Sequence, residues 1–208
     1  MRSLARLSLA LLFVLALPVC GFTKQDITKS VVPLQTYDYK TFCTAFSINE
    51  QEHLYMTAGH CVAYSIENKV PMMIKGGWAV PVMARFGDGN DIAVIHAEYG
   101  SPAVKMSSHA PEVGDAISII GFPYGLAKAI EVHGYLAGKS VPLSDPGMEW
   151  PISDVLDITV AGGNSGSPVF NEDGRVVGLL WGGMTSSPHA LSIPWEMINR
   201  LAGGYYAN

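Results

Sequence analysis

The chain reads as all-β, two β-barrels in sequence closed by a short C-terminal helix, and three observations predict this. Short runs of alternating or β-branched residues recur about every ten residues between Gly, Asn, Asp and Pro. Helical periodicity is confined to the last fifteen residues or so. With 208 residues, 49% of them hydrophobic, the chain is long enough to bury a substantial core.

In chain order, the N-terminus has the form of a secretory signal. Arg2 and Arg6 supply charge, Leu7 to Leu17 are almost wholly apolar, and Val19 and Gly21 precede Phe22, so cleavage is expected near Gly21 and residues 1–21 are assigned to the signal peptide. The apolar run is too short for a stable spanning helix, which needs about 20 residues. Cys20 offers lipid attachment as an alternative, although Val19 stands where a lipoprotein signal prefers a small residue. Without Arg2 and Arg6 the mature chain has 11 basic and 18 acidic residues, a net charge of −7, and no basic patch that suggests nucleic acid. Export predicts a secreted or periplasmic protein, in which Cys43 and Cys61 form an even pair that invites a disulfide.

The strands follow. Thr44 to Ile48 and His53 to Thr57 flank the polar turn 49–52, and Val70 to Lys75 and Trp78 to Phe86 flank Gly76-Gly77. Asp88-Gly89-Asn90 then turns the chain into Ile92 to His96. A looser stretch, Gly100 to Gly114, is taken as the link, giving an N-terminal barrel over 22–105 and a C-terminal barrel over 106–208. The second half restarts at Ala116 to Ile120 and continues with Ala129 to Ala137, a loop around Ser144 to Gly147, Ile152 to Val160, and a pair made by Pro168 to Phe170 and Arg175 to Trp181. In the tail, Pro194 suits a first helical turn, Trp195, Ile198 and Leu201 share an apolar face, and Gly203-Gly204 ends it.

The chemistry centres on Gly162-Gly163-Asn164-Ser165-Gly166-Ser167-Pro168. A serine hydroxyl needs a base to take its proton and donors for the oxyanion that forms. Glycines around Ser165 let a substrate carbonyl approach the main chain, where the N–H groups of Gly163 and Ser165 could share one hole. The structural alternative is a plain Gly/Ser/Asn turn between strands. A strand-to-helix nucleophile elbow, Gly-x-Ser-x-Gly, is a poor fit, because Ser167 replaces its last glycine and the best His and Asp candidates precede the serine.

The base candidate is His60 in Thr57-Ala58-Gly59-His60-Cys61, placed where a predicted strand ends and tied through Cys61. His53, His96, His109, His133 and His189 lack such a setting and read as surface or packing residues. Asp91 leads directly into an apolar strand, a costly place for an acid without hydrogen-bond donors, and an imidazole N–H from His60 would supply one. Asp88, inside Asp88-Gly89, is the better example of a mere turn aspartate.

The order His60, Asp91, Ser165 in these motifs resembles the chymotrypsin-like serine proteases over nearly all of the mature chain. Gly162 to Phe170 with Trp181-Gly182-Gly183 is similar to bacterial glutamyl endopeptidases, and Gly121-Phe122-Pro123-Tyr124-Gly125-Leu126 to Deg-type periplasmic proteases. The resemblance implies a chymotrypsin-like double β-barrel, His60 as general base then acid, Asp91 as its orienting carboxylate, Ser165 as acylated nucleophile, and Gly163 and Ser165 amides as oxyanion donors. It also implies a Cys43–Cys61 disulfide beside the histidine, a protein or peptide substrate, and neither a metal nor another cofactor.

The chain departs from the family at informative places. Asn164 replaces the aspartate that pairs with a new N-terminus in animal members, and no Ile-Val-Gly-Gly start is visible. Leu180 and Val160 stand where glutamyl endopeptidases place a histidine and a threonine or serine that bind the substrate carboxylate. A pocket lined by Thr159, Val160, Leu180, Trp181 and Gly182 with Ser192 near its base carries no fixed charge, so uncharged, small to medium apolar side chains are expected before the scissile bond. Only seven residues follow Leu201, too few for the PDZ-type domain of Deg-type enzymes, and a monomer is the default expectation. An inactive protease-like binding protein and an esterase on the same scaffold are the competing readings.

Overall fold

A computed structural model of the chain describes residues 27–145, 148–184 and 187–206. The signal-peptide reading of residues 1–21 and the lipidation alternative at Cys20 lie outside the described residues. Among the described residues no helix is long and apolar enough to cross a membrane.

Strands β1 (Val31–Gln35), β2 (Thr41–Asn49) and β3 (Leu54–Thr57) form an antiparallel run, followed by helix α1 (Gly59–Glu67). Strands β4 (Met72–Ile74), β5 (Gly77–Gly87) and β6 (Asn90–Ala97) complete a closed barrel in the order β1-β2-β3-β6-β5-β4. The β5–β6 hairpin turns at Asp88 and Gly89, both with positive φ (49° and 70°), the conformation a tight hairpin turn of the mirror-image type demands.

The second half opens with β7 (Lys105–Met106) and continues through β8 (Ala116–Gly121), β9 (Ile130–Val141), the small hairpin β10 (Ser144–Asp145) and β11 (Met148–Glu149), β12 (Ser153–Asp157), β13 (Pro168–Asn171), β14 (Arg175–Gly183) and β15 (Ala190–Pro194). These order as β13-β8-β9-β12-β15-β14, and the β13–β14 pairing closes them into a second barrel, with β7 added parallel to β14. Helix α2 (Trp195–Ala202) follows directly, packing Ile198 and Ala202 into the core; Pro194 sits just before it as its N-cap.

The core is continuous between the barrels. Phe46, Met56, Ile92 and Ile95 of the first pack in one cluster with Phe170, Leu179 and Ile193 of the second, while a smaller cluster around Leu136, Leu156 and Leu180 fills the rest of barrel two. Burying these side chains is the main favourable term, roughly 1.5–3 kcal/mol for each fully buried large apolar group.

Two differences from the sequence reading bear on the site. Helical structure is not confined to the tail: α1 starts at Gly59 and carries His60 in its first turn. Its nine residues have no side-chain N-cap, Ala58 occupying that place, and no acidic residue in the first turn. The helix is instead held from outside by packing of Cys61 and Val62 against barrel one, a tertiary stabilisation of a segment too short to be stable alone. The strand expected over Ile152 to Val160 is also shorter, ending at Asp157 and leaving Thr159 and Val160 in the loop before Ser165.

A buried acid lies in the second barrel. Asp154 on β12 is 2% exposed and accepts the Ser140 N–H at 2.8 Å. Burial pushes its carboxyl up to about 6, Glu196 adds to the rise, and the Ser140 N–H and Lys139 oppose it. The folded protein therefore holds this proton more tightly than the unfolded chain, whose aspartate titrates near 3.9. Its contribution to stability is full below about pH 4 and is lost as pH rises through about 6. Asp154→Asn keeps an acceptor for Ser140 and removes the charge; it is expected to raise stability at pH 8 by about 2–3 kcal/mol with no gain at pH 4. Urea denaturation at both values checks this, and an equal effect at the two would refute it.

Candidate active site

His60 occupies the first turn of α1, and Asp91 opens β6. The His60 backbone N–H donates to Asp91 Oδ1 at 2.7 Å and the ring Nδ1 meets Oδ2 at 2.8 Å. A carboxylate only accepts, so Nδ1–H is the donor, and in the neutral ring Nε2 is then the nitrogen with the lone pair. Asp91 is 3% exposed, and two donors from one residue offset the cost of burying its charge. Gly59 makes this approach possible: a Cβ there would lie 2.2 Å from Arg85 O and 2.9 Å from Ile92 N. The Phe86 ring, on the strand position paired with Asp91, stands edge-on to the His60 ring with centroids 6.3 Å apart.

The disulfide Cys43–Cys61 is present and ties β2 to α1 beside His60. Both sulfurs lie near the His60 ring but are consumed by the bond, so this trio offers no thiolate for a metal. The bridge spans 18 residues of sequence and contributes about 3 kcal/mol on loop-entropy grounds. Reduction is expected to lower the melting temperature by several degrees; equal melting with and without reductant, scored beside free-thiol titration, would count against that contribution.

Ser165 lies in the loop between β12 and β13, and that loop is fastened to barrel one. From barrel one the Thr44 N–H donates to Ser165 O at 2.8 Å, while within the second barrel the Gly166 N–H donates to Leu180 O at 2.7 Å. The Ser165 hydroxyl is directed at Trp181 O, 3.4 Å away, and makes no hydrogen bond to His60. Neither the Gly163 nor the Ser165 N–H has a backbone acceptor among the described residues.

A cleft at Ser165 is lined also by Val160, Ala161, Gly162, Asn164, Leu180, Gly182, Gly183 and Met184, none of them charged. Of the residues the sequence assigned to a specificity pocket, Val160, Leu180 and Gly182 are here, whereas Thr159, Trp181 and Ser192 are not among the lining residues. Thr159 is exposed in the loop. The β14–β15 pairing is bulged between Leu180 and Gly182, and the Trp181 indole, on the side of β14 that Leu179 also takes, stacks on Trp150 at 5.5 Å and donates to Ser153 Oγ at 2.9 Å. Ser192 is buried opposite Leu180, its hydroxyl under Gly178. Met184, missed from sequence, was foreseeable as the next side chain after Trp181-Gly182-Gly183; Gly162, Asn164 and Gly183 belong to motifs the sequence singles out without assigning them to the pocket, and Ala161 left no signal.

A family model described as a trypsin-like peptidase domain matches residues 43–179. The chain belongs to the trypsin-like peptidase family. It is similar to the glutamyl endopeptidases of Staphylococcus aureus strains MW2 and MSSA476, 28% identical over 119 residues, which are 52% of this chain and 34% and 33% of theirs. The chain thus spans about a third of the length of these curated relatives. Its fold matches the Rv3671c protease of M. tuberculosis in active form, with a TM-score of 0.70 and 18% identity, covering 88% of this chain and 83% of that one. The inactive form gives a TM-score of 0.69 at 18% identity, covering 87% and 91%. At such identity the likeness is one of fold, the chymotrypsin-like double barrel.

Proposed function

We propose that this protein is an exported serine endopeptidase that cleaves peptide bonds through Ser165, His60 and Asp91. The observation that carries the reading is the pair of hydrogen bonds from His60 to buried Asp91, made on a barrel that also fastens the Ser165 loop. Family membership and the relatives named glutamyl endopeptidase agree with it.

Asp91 holds the ring so that Nε2 is the basic nitrogen. In the reaction the Ser165 hydroxyl leaves Trp181 O and meets that nitrogen; such contacts commonly tighten only when substrate is bound. Nε2 takes the proton as Oγ attacks the substrate carbonyl, and the N–H groups of Gly163 and Ser165 receive the oxyanion. His60 returns the proton to the leaving amine, and water then releases the acyl group by the same steps in reverse. The uncharged lining of the cleft favours small to medium apolar side chains before the scissile bond. The disulfide supports an extracellular or periplasmic location.

The test is fluorophosphonate labelling of wild type and Ser165→Ala, with mass spectrometry of an unbiased peptide mixture incubated with each. Labelling of wild type alone with cuts after apolar residues is expected. Labelling without cleavage would point to an esterase, absence of labelling to an inactive binding protein, and cuts dominated by Glu, Asp, Lys or Arg would overturn the neutral pocket.

A further inference from the structure

The loop that carries the two oxyanion donors is held by a residue of the other barrel. Thr44, on β2, is fully buried and makes bonds in several directions at once. Its N–H donates to Ser165 O at 2.8 Å, its hydroxyl donates to Gly163 O at 2.8 Å, and its own carbonyl accepts from Thr57 Oγ1 at 2.7 Å. The Phe122 N–H donates to Thr44 Oγ1 at 3.1 Å. A threonine hydroxyl has one proton, and with Phe122 occupying its acceptor side that proton is committed to Gly163 O.

The consequence lies in the peptide planes. In a trans peptide the carbonyl and the next residue's N–H point in opposite directions. Gly162 O is held by the Tyr124 N–H at 2.6 Å, which turns the Gly163 N–H the other way. Gly163 O is held by Thr44, which turns the Asn164 N–H back onto Ala161 O at 3.1 Å. Asn164 O accepts from the Ser167 N–H at 2.9 Å, which fixes the Ser165 N–H, and Ser165 O returns to Thr44. Four consecutive carbonyls are therefore pinned, two of them by one residue. The donors on Tyr124 and Phe122 share one short segment, in which Tyr124 takes a left-handed φ of 55°, an unfavourable conformation for a bulky residue.

We infer that Thr44 is a positioning residue for the oxyanion hole, its hydroxyl fixing the peptide between Gly163 and Asn164 so that the Gly163 and Ser165 N–H groups stay aimed at the reacting carbonyl. The inference rests on the endopeptidase reading above. Thr44 touches no substrate and acts only through the loop. Electrostatic stabilisation of an oxyanion depends on donors that need no reorganisation during reaction, which is what a buried, doubly bonded hydroxyl secures.

Thr44→Val keeps the shape and the N–H but removes the hydroxyl; Thr44→Ser keeps the hydroxyl. The valine variant is expected to lose about 10- to 100-fold in kcat with KM within about threefold of wild type, a fraction of the loss on removing an oxyanion donor outright. Its affinity for a peptide aldehyde, whose adduct places an oxyanion in the hole, should fall by the same factor, while affinity for the matching peptide acid stays unchanged. Thr44→Ser should restore both to within about threefold. Wild type inert towards peptide and aldehyde alike would overturn the endopeptidase reading and this role with it. An active wild type matched by an equally active Thr44→Val would overturn this role alone. Thr44→Ala is the second variant for the same readouts, and failure of both valine and alanine variants to fold would make Thr44 a structural residue and refute the positioning role.

Discussion

Ser165→Ala is expected to lower kcat on a cleaved peptide by roughly 10⁶-fold, and His60→Ala by a similar factor, if the two act as a unit. The double variant should be no worse than either single one, because a base without a nucleophile, or the reverse, contributes almost nothing. Asp91→Asn is expected to cost about 10⁴-fold, since an amide facing Nδ1 favours the tautomer that places the proton on Nε2. Residual activity of about 10³–10⁴ over water should survive in all of them through the backbone donors and substrate binding. Steady-state kinetics beside circular dichroism measures this. A folded Ser165→Ala variant retaining a hundredth of wild-type turnover would exclude Ser165 as the nucleophile.

Gly166→Ala is expected to destabilise the fold by roughly 3–5 kcal/mol, the range of severe overpacking combined with backbone strain. Gly166 has a φ of +87°, and a Cβ there would lie 2.1 Å from Thr44 O and 2.3 Å from Thr57 Oγ1. Neither contact can relax easily, because Thr44 O is itself bonded to Thr57 Oγ1 and both residues are fully buried. The melting temperature should fall by about 10 °C for a domain of this size. Gly162→Ala is the matched control, since a Cβ there meets nothing within 4 Å. Its melting temperature should change by no more than a few degrees; an equal fall in the two variants would show that loop flexibility, not the contact with barrel one, sets the cost.

The same two glycines show why the candidate site was legible in sequence. Nucleophilic acyl transfer needs close approach of backbone to substrate and of helix to hairpin, and each demand leaves a local mark: glycines flanking Ser165, Gly59 before His60, an acid at the head of an apolar strand at Asp91. Short apolar or β-branched runs bounded by turn residues likewise announced most strands; β2, β3, β6, β14 and β15 are buried at nearly every residue, not at every second one. Helix α1 left no such mark. Its stability comes from barrel one and the disulfide, and nothing in Gly59 to Glu67 caps or charges it as a helix start would.

By itself, then, the sequence determined a mostly β chain with a terminal helix and a cysteine pair at 43 and 61, and it singled out His60, Asp91 and Ser165 as the candidate site. Only the tertiary structure decided what long-range packing controls. It set β8 beside β13 and β15 between β12 and β14 to close the second barrel, turned Trp181 away from the cleft onto Trp150, pinned the Ser165 loop on Thr44 from the opposite barrel, and buried Asp154 where its proton is held more tightly. The division has one physical reason. Turn chemistry, strand periodicity and motif spacing are properties of neighbouring residues, whereas the direction of a side chain, the orientation of a peptide plane and the ionisation of an acid are set by partners more than ten residues away in the chain.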